Sequence, residues 1–165
     1  MRNISLLLLA GVVFFASCQK EKDAFVQQGQ QTDNVRLSAW KGVSFTANGA
    51  AGSDSLFFST EINDAAIDSS ILSDGVVLVY SKENNNINTL PFGLASNIQW
   101  SYEIKNGGIL ISANTTQAIA ALNGWQFAYV VVPGKKLASL EENGISLDNL
   151  INYSFTDAEK LFAGN

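Results

Sequence analysis

The stretch from residue 98 to residue 111 reads Ile-Gln-Trp-Ser-Tyr-Glu-Ile-Lys-Asn-Gly-Gly-Ile-Leu-Ile, and it decides the fold class. Apolar and polar side chains alternate from Ile98 to Ile104, which is typical of an antiparallel strand with one buried face. Asn106-Gly107 then supplies the backbone freedom that a tight turn requires, and a second apolar run begins at Ile109. The sequence therefore predicts a β-hairpin at this position.

Two further stretches are more continuously apolar than this hairpin. The segment from Val76 to Tyr80 follows a turn at Gly75, and the segment from Trp125 to Val132 ends at Pro133, which cannot continue a hydrogen-bonded ladder. Both are rich in β-branched and aromatic residues. We therefore expect them to be central strands that are covered on both faces.

The remaining signals are weaker and mostly short. Strand patterns run from Arg36 to Phe45 and from Ser55 to Ile62, and residues 65–72 favour one short helix. Thr156 and Glu159 have the spacing of a capping box, which predicts a short C-terminal helix. No long helical pattern separates the strands, so the chain predicts an all-β fold, an antiparallel β-sandwich with a short C-terminal helix.

The N-terminus has the layout of a secretory signal peptide. Arg2 is followed by an apolar run from Ile4 to Phe15, then by small residues and Cys18. The run is shorter than the roughly 20 residues that a membrane-spanning helix needs. Phe15-Ala16-Ser17-Cys18 resembles the lipobox of bacterial lipoproteins, although the usual leucine is replaced by phenylalanine. The resemblance implies cleavage before Cys18 and lipidation of Cys18, whose acyl chains anchor the protein stably.

This organisation divides the chain into three parts. Residues 1–17 are the expected signal peptide, residues 18–34 the lipidated cysteine and a flexible tether, and residues 35–165 a single β-sandwich domain. The charged stretch from Gln19 to Asp23 is similar to the surface-export signal of Bacteroidota lipoproteins, and it also fits a solvated linker. We therefore expect a lipid-anchored outer-membrane protein, with the outward-facing orientation favoured and the periplasmic one open.

Four segments in a fixed order carry a wider resemblance. Residues 73–80, 90–92, 100–102 and 129–134 are similar, together with the lipobox, to small uncharacterised Bacteroidota lipoproteins of the outer membrane or cell surface with an all-β domain. The resemblance covers residues 40–162. It implies lineage and localisation, and it brings no catalytic or binding residues.

Composition excludes several classes of chemistry. The 165 residues contain one cysteine and no histidine, so neither a Ser-His-Asp or Cys-His site nor an imidazole zinc site can form. The net charge is −5, and −6 once Arg2 is removed with residues 1–17. An acidic chain lacks the electrostatic footprint for nucleic acid. We therefore expect no nucleic-acid partner, no cofactor and no enzyme activity.

Carboxylates are the acid–base candidates that remain. Glu61, Asp64, Asp68 and Asp74 fall close together in the chain. Two carboxylates can build a glycosidase, and the same oxygens suit Ca²⁺, but the spacing is not that of an EF-hand. Solvated turns and helix caps are the expected role, so we assign no catalytic residue and no metal ligand, and leave Ca²⁺ binding open.

Aromatic residues offer candidates for ligand contact. Trp100, Tyr102 and the aromatics of the 125–132 segment are expected in the core. Phe57 and Phe58 are neighbours, so their side chains point to opposite faces of a strand, and one is exposed unless both faces are covered. We select Trp40, Phe57 and Phe58 as the candidate contact surface. Asp54-Ser55-Leu56 resembles the O-glycosylation motif of Bacteroidota secreted proteins, with Ser55 as the acceptor.

The function expected from these observations is a lipid-anchored cell-surface β-domain that acts as a non-enzymatic binding or structural component. Its expected partners are the membrane, through the N-terminal lipid, and a glycan or protein at the cell surface. Three alternatives remain open: a glycan-binding accessory module of a polysaccharide-uptake system, an adhesin or envelope-assembly subunit, and a carboxylate-based hydrolase.

Overall fold

A computed structural model describes residues 34–49, 57–93, 98–115 and 122–162. These residues belong to one compact unit. The predictions for the signal peptide, for Cys18, for residues 18–33 of the tether and for Ser55 lie outside the described residues.

Two antiparallel sheets form the described part of the chain. In the first sheet the strand order is β1-β10-β5-β6, and β2 pairs with the same edge of β10 as β1. Its strands are β1 (Arg36–Leu37), β2 (Lys41–Gly42), β5 (Val76–Glu83), β6 (Asn86–Thr89) and β10 (Gln126–Val132).

In the second sheet the strand order is β3-β4-β9-β8-β7. Its strands are β3 (Thr46–Asn48), β4 (Phe57–Asn63), β7 (Phe92–Gly93), β8 (Ile98–Lys105) and β9 (Gly108–Thr115). The hairpin predicted from residues 98–111 is confirmed as β8 and β9, which are joined by a turn in which Gly107 has a φ of 90°. The prediction of an antiparallel β-sandwich with a C-terminal helix is confirmed.

The strands β5 and β10 are buried on both faces, as their continuous apolar sequences predict. Their alternate residues divide between two cores. Val79 and Phe127 face the second sheet, while Tyr80 and Ala128 face the other way, beneath a layer of helices. The helices of the fold are α1 (Ser69–Asp74), α2 (Gly134–Glu142), α3 (Leu147–Leu150) and α4 (Phe155–Phe162).

Local capping explains where the helices begin. Asp68 accepts hydrogen bonds from the backbone N–H groups of Ser70 and Ile71, so α1 begins at Ser69, later than the predicted start at residue 65. At α4 the predicted cap, Thr156, is wrong. The hydroxyl of Ser154 accepts from the backbone N–H of Asp157 at 3.2 Å and donates to the carboxylate of Asp157 at 2.6 Å.

Two edge segments cross from one sheet to the other and close the sides of the sandwich. Residues 36–48, predicted as one strand to Phe45, instead form β1 and β2 on the first sheet and β3 on the second. On the opposite side, β6 of the first sheet leads through the cis peptide bond Leu90–Pro91 to β7 of the second. Pro91 has no N–H to donate, so the pairing of β7 with β8 begins only at Phe92.

Candidate functional site

The candidate site lies on the side of the second sheet that points away from the first sheet. We call this side the outer face. Period-two alternation points every second side chain of β4, β8 and β9 away from the first sheet. These side chains are exposed or half-buried, whereas their neighbours fill the core. The strand register aligns them in rows across the sheet: Asn48, Phe57, Asn114 and Gln99, then Thr46, Ser59, Ser112 and Ser101, then Glu61, Leu110 and Glu103.

Phe57 is the aromatic residue of the outer face. Its side chain is 42% exposed, although Phe57, the first residue of β4, is paired with a strand on each side. In its row it lies between Asn48 and Asn114, and Gln99 follows on the next strand. Facing residues on neighbouring strands have Cβ atoms about 5 Å apart, so three side-chain amides stand in line with one aromatic ring.

Hydroxyl groups form the adjacent row. The amide nitrogen of Asn48 donates to the Ser59 hydroxyl at 2.7 Å and to the Thr46 carbonyl at 3.1 Å, which orients this side chain on the edge strand. Together, amides and hydroxyls give the outer face many donors and acceptors that carry no charge. Such a surface can exchange hydrogen bonds with a partner that also carries uncharged hydroxyl or amide groups.

Of the three aromatic residues selected from the sequence, the structure removes one from the candidate surface and separates the other two. Phe58 is 3% exposed and lies in the core between the sheets, so its selection as a contact residue is wrong. The reason is the alternation of side chains along β4, because Phe57 takes the outer face and Phe58 the inner one.

Trp40 lies on the helix-covered side of the first sheet, away from the outer face. Its ring packs against Phe155 with a centroid separation of 4.8 Å, and the ammonium group of Lys82 lies 5.6 Å from its centroid. The side chain is half-buried. Trp40 therefore helps to hold the segment at residues 36–42 onto the domain and does not share a surface with Phe57.

The carboxylates that stand close together in the sequence have separate structural roles. Asp64 accepts hydrogen bonds from Arg36, Tyr129 and the backbone of Ala66. Hydrogen bonds from Ser70 and the helix backbone lower the pKa of Asp68, the cap of α1.

Asp74 accepts from the hydroxyl of Ser73, while Glu61 lies exposed on the outer face. Among residues 34–49, 57–93, 98–115 and 122–162, no group of three acidic or thiol side chains is arranged to hold a metal ion.

Trp100 and the aromatics of the 125–132 segment are buried as predicted, whereas Tyr102 is only half-buried, and several buried polar atoms have no partner. Trp100 and Trp125 are each 2% exposed and pack with a centroid separation of 4.8 Å. Their indole N–H groups and the Ser81 hydroxyl are buried without a hydrogen-bond partner. On the helix-covered side, the phenol oxygen of Tyr80 is also buried without a hydrogen-bond partner, and burial raises the pKa of this group.

The sequence does not predict the row of amides on the outer face. It also does not predict that the outer edge of β8 has no strand partner from Ser101 to Lys105 among the described residues. Asn48, Gln99 and Asn114 lie on three different strands, so only the register brings them into one row. The sequence does contain one signal for this face, because the polar residues of β8 alternate with its apolar ones and must point away from the core. A shallow depression of about 500 Å³ at Tyr153, Asp157, Lys160 and Leu161 was also not foreseen.

In the part of the chain that the structure describes, no helix has both the length and the apolar character needed to span a bilayer. Comparison of the chain with protein-family models, with curated proteins and with solved structures gives no match.

Proposed function

We propose that this protein is a non-enzymatic binding domain of the outer membrane, anchored by lipid on Cys18 and facing the cell exterior. The outer face of the second sheet is its binding surface. One observation carries the proposal: the opposite side of the sandwich is covered by helices, while the outer face presents Phe57 in line with three amides. The roles of Asp64 and Asp68 in hydrogen bonding support a binding function over a carboxylate-based hydrolase.

A glycan is the partner that this chemistry suits best. A sugar ring has an apolar face that can pack on an aromatic ring, and its vicinal hydroxyls can both donate to and accept from amides. Phe57 would supply the stacking surface, with Asn48 and Asn114 on either side of it. This chemistry supports the proposal that the protein is a glycan-binding accessory module of a polysaccharide-uptake system.

The test is a glycan array probed with the full chain in detergent, followed by titration of the bound glycans. Phe57→Ala should weaken binding on the order of tenfold or more, because a stacking residue at the centre of a site dominates its affinity. Leu72→Ala is the matched control, since Leu72 is 46% exposed on α1. Binding that survives Phe57→Ala, or the absence of any glycan ligand, would contradict the glycan assignment.

A second candidate is an adhesin or envelope-assembly subunit. It is favoured by the outer edge of β8, which has no strand partner from Ser101 to Lys105 among the described residues. An unpaired strand edge can accept a strand from another protein. Capture of protein in place of glycan would support this function, with Phe57→Ala leaving the interaction unchanged.

The anchor is tested separately from the binding surface. Metabolic labelling with palmitate should mark the wild-type chain and not Cys18→Ala, because the thiol of Cys18 is the expected attachment point. The variant should also leave the membrane fraction. Labelling or membrane retention of Cys18→Ala would refute the anchor, while surface protease treatment of intact cells distinguishes the outward from the periplasmic orientation.

A further inference from the structure

We infer that the outer edge of β8 pairs with the same edge of a second copy of this chain, so that the two second sheets join into one continuous sheet. This inference goes beyond the proposed binding function and does not depend on the outer face being used. The starting observation is the stretch from Ser101 to Lys105, whose outer edge carries no strand among the described residues.

The length of this free edge is set by its two ends. On one side the described pairing of β7 with β8 ends at Trp100, opposite Phe92, because the preceding residue, Pro91, has no N–H with which to continue the ladder. On the other side the strand ends at Lys105, before the turn at Gly107. An antiparallel partner strand therefore has room for about five residues.

Charge selects the register of the pairing. A two-fold axis perpendicular to the sheet keeps outward side chains outward, so each residue must face a residue of the same face. If the axis passes through Glu103, two glutamates oppose each other, which is unfavourable. If it passes through Ile104, Glu103 of each copy faces Lys105 of the other, so the charges are complementary and the residues from Glu103 to Lys105 of each copy are paired.

The same two side chains are free to exchange partners. Within one chain Lys105 and Glu103 are separated by 4.0 Å, and their side chains are 43% and 67% exposed. Such an exposed pair contributes little to stability. Directly opposed charges on neighbouring strands lie closer than residues two apart on one strand, so the contacts between copies replace weaker ones. Ile104 of each copy meets the other on the inner side.

The paired segment is short, so two copies in solution should bind each other weakly. Attachment to the same membrane would strengthen the association. Two copies held in one membrane by their N-termini would meet at a high effective concentration. The joined sheet would also place two outer faces side by side. The structure thus assigns β8 to a symmetric contact between copies of this chain.

The experiment is sedimentation velocity of the full chain in detergent across a wide concentration range. Wild type should show a reversible monomer–dimer equilibrium. Glu103→Lys and Lys105→Glu should each raise the dissociation constant on the order of tenfold, because each creates two like-charge contacts. The double variant, Glu103→Lys with Lys105→Glu, should restore the wild-type dissociation constant, because each contact between the copies again joins one lysine and one glutamate.

Glu61→Lys is the matched control, because Glu61 is an exposed carboxylate of the same face on β4, away from the β8 edge. It should leave the equilibrium unchanged. Circular dichroism should show that all variants keep the wild-type fold, since every substituted side chain is exposed.

A strictly monomeric wild type, or single exchanges without effect, would overturn the inference. Failure of the double exchange to restore dimerisation would do the same. Carbodiimide cross-linking of a mixture of isotopically light and heavy chains gives an independent reading. Mixed cross-links between Glu103 and Lys105 are expected, and exclusively intrachain links would contradict the contact.

Discussion

The phenol oxygen of Tyr129 lies 2.7 Å from a carboxylate oxygen of Asp64. Tyr129 belongs to β10 at the centre of the first sheet, and Asp64 directly follows β4 of the second. Arg36, which begins β1, donates to the other oxygen of the same carboxylate at 3.2 Å. One side chain therefore joins both sheets and the first strand of the domain at a single point.

Replacing Tyr129 and Tyr80 by phenylalanine should change stability in opposite directions. Both residues are buried, at 4% and 0% exposure. Tyr129→Phe removes a hydrogen bond to a carboxylate and should lower the free energy of unfolding by about 1.5–3 kcal/mol. Tyr80→Phe removes a hydroxyl that has no partner and should raise it by about 1 kcal/mol. Urea denaturation measures both, and a large loss for Tyr80→Phe would contradict the structure.

Stability should fall in alkaline solution because of the same tyrosines. Burial raises the pKa of Tyr129, as does its hydrogen bond to Asp64, and burial also raises the pKa values of Tyr80 and Tyr102. In the unfolded chain a tyrosine loses its proton near pH 10. Below that pH the protonated phenols contribute fully to stability. Above it only the unfolded chain releases protons, so the free energy of unfolding decreases as pH rises.

Denaturation at a series of alkaline pH values checks this expectation, with phenolate absorbance followed in parallel. Tyr129→Phe should reduce the slope of stability against pH. A slope that is the same in wild type and in this variant would show that Tyr129 ionises normally in the folded protein.

Gly108 should not tolerate a side chain. A Cβ placed there would lie 2.5 Å from the carbonyl oxygen of Ile62 on the neighbouring strand. Gly108→Ala should therefore lower the free energy of unfolding by about 2 kcal/mol or more, through displacement of β4 from β9. Gly42→Ala is the control, because no heavy atom lies within 4 Å of its Cβ position. Equal effects at both positions would contradict the close contact.

Ser38 should contribute more to stability than Ser44. The hydroxyl of Ser38 accepts from the backbone N–H of Tyr129 at 2.8 Å, and its own N–H donates to the Tyr129 carbonyl at 2.9 Å. It thereby completes the edge of β10 between β1 and β2. Ser38→Ala leaves the Tyr129 N–H without this acceptor, at a cost of about 1–3 kcal/mol. Ser44→Ala, at an exposed position, should change the free energy of unfolding by less than about 0.5 kcal/mol. Thermal denaturation compares the two.

The elements whose signals are local are predictable from the sequence alone. Alternation from Ile98 to Ile104 predicted β8, the residues at 106–108 predicted its turn, and the continuous apolar run at 125–132 predicted a strand covered on both faces. These patterns are readable because the side-chain period and the turn conformation are properties of a few consecutive residues. Asp68 was likewise foreseen within a stretch of caps and turns.

What covers the second face of β10, and which residues meet across the sheets, depends on tertiary packing. The helices α2 and α4 cover that face, although their sequence signals are weak, because packing on a sheet stabilises helices of low intrinsic propensity. Phe57 and Phe58 are equivalent in the sequence until the register assigns one to each face. The row of amides beside Phe57, the free edge of β8 and the bond from Tyr129 to Asp64 all join residues from distant segments, so no local pattern contains them.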